Sequence, residues 1–349
     1  MTSFHYKNVF IDAFGYELAP NVVTSEELEL RLEPVYKALR LQQGTLEAVT
    51  GVSERRFWDP DFSVGRGAVM AGKKALLQSA VPVEDIGMLI YGGVCRDHLE
   101  PATACAVAHG LGLTSDALVY DISNACLGVL NGMVEIANAI ELGAIRAGMV
   151  VSCESARQII DVTIDRLLAE KNMDTFKKTV ATLTGGSGAV AVVLADASLS
   201  GSGRRLAGGV AKSAAEHHPL CTWGPNTGIP TAGDQVMETD SAGVLKHGVA
   251  LGVATYHYFK VQMALSEDRP DKIICHQVGA THQRTILGAI DIPAEKDFTT
   301  FRHLGNIGTV SLPITAAIGN ERGFLQPGDA VGFLGIGSGL NCLMLRVDW

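Results

Sequence analysis

The chain has 349 residues, of which 47% are hydrophobic and 6% aromatic, and it carries 28 Lys and Arg against 37 Asp and Glu, a net charge of −9. This length buries roughly three quarters of the unfolded surface and favours two subdomains, while the composition excludes a disordered or collagen-like chain. The acidic balance argues against nucleic acid or an anionic membrane as partner, because both need clustered Lys and Arg. Basic residues form at most adjacent pairs, which we interpret as surface positions; examples are Arg55-Arg56, Lys177-Lys178 and Arg204-Arg205.

Predicted strands and helices alternate along the chain. Apolar runs of strand length without polar alternation predict strands buried on both faces of a parallel or mixed sheet; they lie at 86–91, 117–122, 148–153, 189–194, 272–275 and 330–334. Runs rich in Ala, Leu, Met and Gly predict core-facing helices at 67–80 and 127–142, and mixed charges predict a solvated helical cap at 161–179, within an insertion of about 155–182. The glycine-rich run 201–209 predicts a joint between halves 1–200 and 201–349. The fold class is α/β.

Export, membrane insertion and metal binding all lack a sequence signal. No basic start precedes an apolar segment, and no apolar run reaches the roughly 18 residues of a membrane helix. Seven cysteines without a CxxC motif disfavour a disulfide framework, so we expect a cytoplasmic protein with no transmembrane segment. The nearest approach to a zinc spacing matches no standard pattern, and no metal is expected; it consists of Cys95, His98, Cys105 and His109.

A weak internal similarity indicates that the two halves are duplicated. Asn124-Ala125-Cys126 is followed by an apolar helix, a turn and a strand, and the same order follows Asn306-Ile307-Gly308. From the Asn to the glycine of the turn is 24 residues in the first case, at Gly148, and 22 in the second, at Gly328. The similarity places Cys126 and Asn306 at corresponding strand-to-helix junctions.

Three residues at such junctions could carry chemistry. Cys126 follows a predicted strand and opens a helix, where the helix dipole lowers the pKa of a thiol and makes it a nucleophile. His276 ends the strand KIIC at its carboxyl end, where ligands of α/β sheets collect. Asn306 lies in a glycine-flanked loop that opens another helix. Each also has an ordinary structural interpretation: a buried thiol, a satisfied histidine and a helix-capping asparagine.

Two glycine-containing runs that suggest nucleotide binding do not meet its requirements. The run GIGSG at 335–339 is followed by only ten residues, whereas a dinucleotide fingerprint needs a further helix, strand and acidic residue. The loop can instead offer backbone N–H groups, as an oxyanion hole requires. GAVMAGKK at 67–74 has Lys74 where a phosphate-binding loop needs a Ser or Thr.

Taken together, the motifs resemble the thiolase superfamily, and within it the ketoacyl-synthase III-like condensing enzymes, over essentially the whole chain. TGVSERRFW at 50–58 looks like the early motif of that family, and DISNACLG carries its nucleophile at Cys126. HQVG resembles its histidine motif, GNIG its asparagine motif and GIGSGLN its terminal glycine loop. The resemblance implies a five-layered αβαβα fold of two similar halves and a homodimer, with no tightly bound cofactor.

The resemblance also implies a Claisen condensation of acyl thioesters. Cys126 would take an acyl group from acyl-CoA while the amides of Cys126 and Ser338 hold the oxyanion, and His276 and Asn306 would stabilise the enolate of the second acyl group. Within the family the chain is similar to the olefin-biosynthesis branch, because Glu100 precedes Pro101 where fatty-acid-initiating enzymes carry an apolar residue. A glutamate there enters the active site of the partner subunit and would act as the base, so the expected reaction joins two long-chain acyl-CoAs into a β-keto acid.

Some positions depart from the family pattern and leave alternatives open. The segment 45–49 lacks the Trp and Arg that hold the CoA adenine, so the CoA-binding residues are not identified. HQVG lacks the final Asn of its motif, and no carrier-protein Arg follows before Arg284, which favours acyl-CoA over an acyl carrier protein as partner. A decarboxylative 3-oxoacyl-[acyl-carrier-protein] synthase III remains an alternative, as do a papain-like thiol hydrolase, which shares the Cys, His, Asn order, and a non-catalytic relative.

Overall fold

Fourteen strands and twelve α-helices are present in the computed structural model, which describes residues 2–225 and 235–349. The strands are β1 (Thr2–His5), β2 (Phe10–Leu18), β3 (Asn21–Thr24), β4 (Glu54–Phe57), β5 (Ile86–Gly92), β6 (Leu118–Ile122), β7 (Ala147–Glu154), β8 (Gly188–Ala195), β9 (Arg205–Ser213), β10 (Cys221–Pro225), β11 (Gln235–Thr239), β12 (Lys272–Cys275), β13 (Ala330–Gly337) and β14 (Asn341–Asp348). The helices are α1 (Ser25–Arg31), α2 (Glu33–Leu39), α3 (Thr45–Thr50), α4 (Val64–Gln78), α5 (Thr103–Leu111), α6 (Gly128–Glu141), α7 (Arg157–Glu170), α8 (Met173–Thr179), α9 (Ser241–Gln262), α10 (Ala280–Ala289), α11 (Phe301–Leu304) and α12 (Ser311–Glu321).

The main sheet contains the same strand order twice. One part runs β6-β5-β7-β8-β2, with β5, β6 and β7 parallel and β8 antiparallel to both neighbours. The other runs β12-β13-β14-β9, with β12 and β13 parallel and β14 antiparallel to both neighbours, and β1 pairs with β9. A bridge between Ile273 and Asp297 stands where the first part has β6. The two parts join through one residue pair, Phe10 and Arg205.

The helices stack with these two sheet parts into five layers. Buried side chains of α6 and α12 pack together with strands of both parts, so these two helices form the central layer. Helices α4 and α5 cover the outer face of the first part, and α9 and α10 cover the outer face of the second. Strand β8 shows why the sheet is apolar on both faces: Val190 and Val192 face the central layer, whereas Ala191 and Val193 face α4. This is the αβαβα arrangement that the resemblance implied.

The six predicted strands are confirmed with ends shifted by no more than three residues, and the two core-facing helices are present as α4 and α6. The charged segment 161–179 is helical, within α7 and α8. The joint predicted at 201–209 is wrong in its second half, because Gly208 and Gly209 lie inside β9. A Cβ at Gly208 would stand 2.3 Å from the Phe4 carbonyl oxygen, so the glycine is needed for β1 to pair closely with β9. The boundary between halves stays a prediction.

The surface interpretation of the first basic pair is also wrong in part. Arg55 is fully buried, and its guanidinium donates hydrogen bonds to Ser25 Oγ and to the Leu183 carbonyl at 3.0 and 3.1 Å. Burial lowers the pKa of Arg55 to about 10.

Within the described ranges, no helix combines the length and the apolar character needed to cross a bilayer.

Candidate active site

A cavity of about 430 Å³ lies between the central layer and the first half of α9. The predicted residues Cys126, His276, Asn306 and Ser338 all line it. The remaining wall is largely aliphatic and includes Val244, Leu245, Val249, Ile286, Ile336 and Met344. Its size is within the ~300–1,000 Å³ range of small-molecule sites, and an aliphatic wall with few polar groups suits a hydrocarbon chain that ends in a reactive group.

Cys126 lies in the connection between β6 and α6, two residues before the helix begins. The preceding residue, Ala125, has a φ of 46°, which is a strained conformation for an alanine and turns the chain sharply before the cysteine. Gly337 approaches from β13, and a Cβ there would stand 3.3 Å from the Cys126 backbone nitrogen. Among the described residues, no turn or loop hydrogen bond uses the N–H of Cys126 or of Ser338 as donor. Both amides therefore remain available to an oxyanion in the cavity.

The electrostatic surroundings of Cys126 differ from the sequence expectation of a lowered pKa. Burial, followed by the nearby Cys221 thiol and the Glu154 carboxylate, raises the pKa of Cys126 to about 12. Desolvation of a thiolate outweighs the helix terminus here, because α6 starts only at Gly128. The cysteine is therefore a neutral thiol at neutral pH and needs a proton acceptor in order to react.

His276 directly follows β12, and its backbone N–H donates to the Leu334 carbonyl at 3.0 Å. Burial and the neighbouring His282 lower the pKa of His276 to about 4, so its imidazole is neutral at neutral pH. The buried Nδ1 atom has no hydrogen-bond partner in the part of the chain that the structure describes. This agrees with the missing Asn of the histidine motif: Gly279 stands there, and a Cβ on it would be 2.7 Å from the Thr50 carbonyl oxygen.

Gln277 joins the histidine motif to the asparagine motif. The side chain is buried, and its Nε2 donates to the Cys275 carbonyl at 2.7 Å. Its Oε1 accepts hydrogen bonds from the backbone N–H groups of Thr300 at 2.8 Å and Phe301 at 3.1 Å. These residues begin the short helix α11 that leads into the Asn306 turn, so the positions of His276 and Asn306 are coupled through one side chain.

Asn306 is held by backbone pairing on both sides. Its N–H donates to the Thr184 carbonyl at 2.9 Å, and its carbonyl accepts from the Gly186 N–H at 3.0 Å. The side-chain Oδ1 accepts from the Gly308 N–H at 3.1 Å. This fixes the amide orientation and leaves Nδ2, which has no acceptor among the described side chains and backbone groups, as a donor for a ligand in the cavity.

Glu100 lies outside this cavity, in the exposed loop between β5 and α5. Hydrogen bonds hold the loop in place before its tip. The Asp97 carboxylate accepts from the Val64 and Gly65 N–H groups at the start of α4, both at 2.9 Å, and the Tyr91 hydroxyl donates to the Cys95 carbonyl at 2.6 Å. Leu99, beside Glu100, is 79% exposed. The structure therefore brings together three of the four predicted catalytic residues and leaves Glu100 at the surface of its own chain.

Comparison with known proteins agrees with this geometry. Residues 262–349 match the family model described as the C-terminal part of 3-oxoacyl-[acyl-carrier-protein] synthase III. A relative from Shewanella oneidensis named acyl-CoA:acyl-CoA alkyltransferase is 52% identical over 347 residues, covering 99% of both chains. The chain belongs to this family of thiolase-like condensing enzymes.

Two further comparisons are with a solved structure and with a more distant relative. A crystal structure of Xanthomonas campestris OleA with bound lauric acid and lauroyl-CoA matches with a TM-score of 0.92 at 35% identity, covering 99% of this chain and 100% of that one. A Bacillus cereus beta-ketoacyl-[acyl-carrier-protein] synthase III is 26% identical over 343 residues, covering 98% and 99% of the two chains. The identity to the acyl-CoA:acyl-CoA alkyltransferase from Shewanella oneidensis is therefore twice the identity to this synthase III.

Two residues near the site, Arg55 and Cys221, could not be assigned to it from the sequence. Arg55 of the early motif binds the Leu183 carbonyl, next to the Thr184 carbonyl that holds Asn306. Cys221 lies in no motif that the sequence analysis identified, yet it lines the cavity together with Cys126. The only sequence feature that pointed to Arg55 was the motif that contains it, since a pair of charged residues gives no indication of burial.

In residues 2–225 and 235–349 no cluster of potential metal ligands occurs, and all seven cysteines are unpaired.

Proposed function

We propose that this alkyltransferase-family member joins two long-chain acyl-CoA molecules head to head, through an acyl-Cys126 intermediate, to give a β-keto acid. One observation carries the proposal: a thiol, an imidazole and a carboxamide share one largely aliphatic cavity, beside two backbone N–H groups without turn or loop acceptors. The names of the relatives support the substrate class, since one is an acyl-CoA:acyl-CoA alkyltransferase and another was crystallised with lauroyl-CoA.

The first half of the reaction acylates Cys126. The sulfur of Cys126 attacks the carbonyl carbon of acyl-CoA as its proton passes to the neutral imidazole of His276, so that no free thiolate has to form first. The N–H groups of Cys126 and Ser338 donate to the oxyanion. The C–S bond to CoA then breaks, and the CoA thiolate leaves with the proton from His276. Because Nδ1 of His276 has no partner among the described residues, neither tautomer is fixed, and Nε2 can accept a proton here and donate one later.

The second half forms the carbon–carbon bond. The Glu100 carboxylate of the partner subunit removes a proton from the α-carbon of a second acyl-CoA, and His276 Nε2–H and Asn306 Nδ2–H donate to the resulting enolate oxygen. The carbanion attacks the acyl-Cys126 carbonyl and expels the Cys126 sulfur, which takes up the proton that Glu100 removed; this gives a β-ketoacyl-CoA and restores the thiol and the carboxylate. Water then cleaves this thioester to the β-keto acid and CoA, so that each product accounts for two CoA released.

This mechanism requires a homodimer, because Glu100 does not line the cavity of its own chain. The exposed loop tip with Leu99 is the kind of apolar, anchored projection that an interface would bury. CoA thioesters are substrates here, and no resident cofactor enters any step. Seven unpaired thiols are consistent with a reducing compartment, which supports a cytoplasmic location.

The competing function is a decarboxylative 3-oxoacyl-[acyl-carrier-protein] synthase III, which needs no base because a malonyl donor generates the carbanion by losing CO2. The match of residues 262–349 to the synthase III family model supports this alternative. The higher identity to the alkyltransferases and the presence of Glu100 favour the condensation of two acyl-CoA molecules. A papain-like hydrolase is excluded by the family to which the chain belongs.

Substituting Glu100 separates the two functions. Glu100→Ala should leave CoA release at one equivalent per Cys126 and reduce β-keto product from acyl-CoA at least about 100-fold. Glu84→Ala is the matched control, because Glu84 is an exposed carboxylate at the opposite end of β5. Unchanged product formation in Glu100→Ala, or a purely monomeric active protein, would contradict the proposed base.

A further inference from the structure

Glu154, the last residue of β7, is a buried carboxylate that the mechanism above does not use. It is 4% exposed and forms no ion pair with any described Lys, Arg or His. Burying an unpaired carboxyl group costs free energy unless hydrogen bonds compensate it. The contacts that Glu154 makes therefore indicate what the residue is for.

Both carboxylate oxygens bind the beginning of the loop that carries Glu100. Oε1 accepts the Val94 N–H at 2.9 Å, and Oε2 accepts the Cys95 N–H at 3.2 Å. The residue after Glu154 adds a further contact, because the Ser155 N–H donates to Cys95 Sγ at 3.4 Å. Each oxygen of Glu154 accepts one of the two backbone N–H groups, and a glutamine in the same position would turn its NH2 group toward one of them.

The opposite side of Glu154 packs against the Asn306 turn. A Cβ at Gly308 would stand 3.3 Å from Glu154 Cγ, so the glycine and the carboxylate stem are in close contact. The same Gly308 donates its N–H to Asn306 Oδ1. The Glu154 side chain is thus confined between the active site of its own chain and the loop that leaves for the partner.

We propose that Glu154 is a positioning residue for the condensation step: it fixes the root of the Glu100 loop through the Val94 and Cys95 amides, so that Glu100 reaches the α-carbon in the partner's site. The inference rests on the proposed function, in which Glu100 acts across a dimer. Acylation of Cys126 uses no group from this loop, and removing the Glu154 charge, which raises the pKa of Cys126, should not slow it.

The isosteric variant Glu154→Gln tests the two halves of the reaction separately. Its amide keeps one acceptor and turns an NH2 group toward the second backbone N–H, which loosens the loop root. We expect CoA release in the acylation half to remain at least half that of the unmodified protein, and β-keto product to fall at least tenfold. Product formation that is unchanged, or that falls by the same factor as acylation, would overturn the proposal.

Asp12→Asn is the matched control. Asp12 is an equally buried carboxylate that accepts hydrogen bonds from Ser79, Ala80, Ser200 and Gly201, away from the cavity. Any loss in this variant should affect acylation and condensation by the same factor. A selective loss of condensation in Asp12→Asn would show that general loosening mimics the effect and would overturn the proposal.

Mixed dimers show on which chain Glu154 acts. When a Glu154→Gln chain is paired with a Cys126→Ala chain, the single working cysteine faces an intact loop, so product formation should recover to about half of the normal value per dimer. When both substitutions are on one chain paired with an unmodified chain, it should stay low. The mixed dimer of a Glu100→Ala chain with a Cys126→Ala chain is the reference. If product formation does not recover in this reference dimer, the proposed function across the dimer is itself wrong. If it recovers there but not in the dimer of Glu154→Gln with Cys126→Ala, only the inference about Glu154 is wrong.

Discussion

The backbone N–H of Val129 donates to Thr309 Oγ1 at 2.8 Å, in a fully buried position. Val129 lies in the first turn of α6, just after Cys126, and Thr309 lies in the turn that follows Asn306. The bond joins the two corresponding strand-to-helix junctions directly. The nucleophile and the carboxamide that serves the second half-reaction are therefore held in one rigid unit.

Removing this acceptor should weaken both the fold and the site. Thr309→Val keeps the side-chain shape but leaves the Val129 N–H buried without a partner, which costs about 1–3 kcal/mol of unfolding free energy. Thr309→Ser keeps the hydroxyl and serves as the control, with the smaller loss of one methyl group. Urea unfolding measures both variants. Equal stability of Thr309→Val and the unmodified protein would contradict the importance of the bond.

The reactivity of the Cys126 thiol should follow its raised pKa. With a pKa of about 12, the thiolate fraction and the alkylation rate by iodoacetamide should rise about tenfold per pH unit between pH 7 and 10. The measurement is made in a Cys105→Ser background, because Cys105 is exposed, and with Cys126→Ala as the blank. Acyl-CoA should protect the site. A rate that levels off below pH 9 would show a thiol with a lowered pKa instead.

The stability of the protein should depend on pH through His276. Because burial lowers the pKa of His276 from 6.5 to about 4, the neutral form is favoured in the folded state. Its contribution is fully present above pH 6.5 and is lost as the pH falls through 4. When the pH is lowered from 7.5 to 5.0, the free energy of unfolding should fall by about 1–2 kcal/mol more in the unmodified protein than in His276→Asn. Parallel urea-unfolding curves at the two pH values for both proteins would contradict the shift.

The depth of the cavity should set the acyl chain length. Gly252 on α9 faces Ile286 on α10, and a Cβ there would stand 3.0 Å from Ile286 Cδ1, the movable end of a side chain. Gly252→Val should fill this end of the cavity and reduce kcat/KM for the longest accepted acyl-CoA by roughly tenfold or more, with little effect on short chains. Gly288→Val is the control, because a Cβ on Gly288 meets no atom within 4 Å. An equal decrease in kcat/KM for all chain lengths would show that the acyl chain does not bind next to Gly252.

The buried parallel strands could be predicted because continuous apolar runs are a strong local signal. Strand β2 was not predicted, since a charged residue interrupts its apolar run at Asp12. In the fold this carboxylate is buried and satisfied by backbone and hydroxyl donors from distant segments, including Gly201. The hydrogen bonds that offset the burial of Asp12 come from residues distant in the sequence, so the local sequence cannot reveal them.

The site residues Cys126, His276 and Asn306 could be predicted from their motifs and their places at strand ends, and the structure places all three on one cavity. Their electrostatics could not be predicted. The pKa of Cys126 depends on how deeply the five-layer stack buries it, and that burial outweighs the helix terminus. Arg55 and Glu154 were missed for the same reason, because charged residues give no sequence signal of burial.

The most direct test supplies the purified protein with one long-chain acyl-CoA, uniformly 13C-labelled in the acyl group, as the only thioester. Mass spectrometry then determines the carbon number and labelling of the product, while CoA release is followed in parallel. We predict a fully labelled β-keto acid with twice the carbon number of the acyl group, and two CoA released per product. A product that appears only after a malonyl thioester is added, and that is longer by two unlabelled carbons, would contradict it.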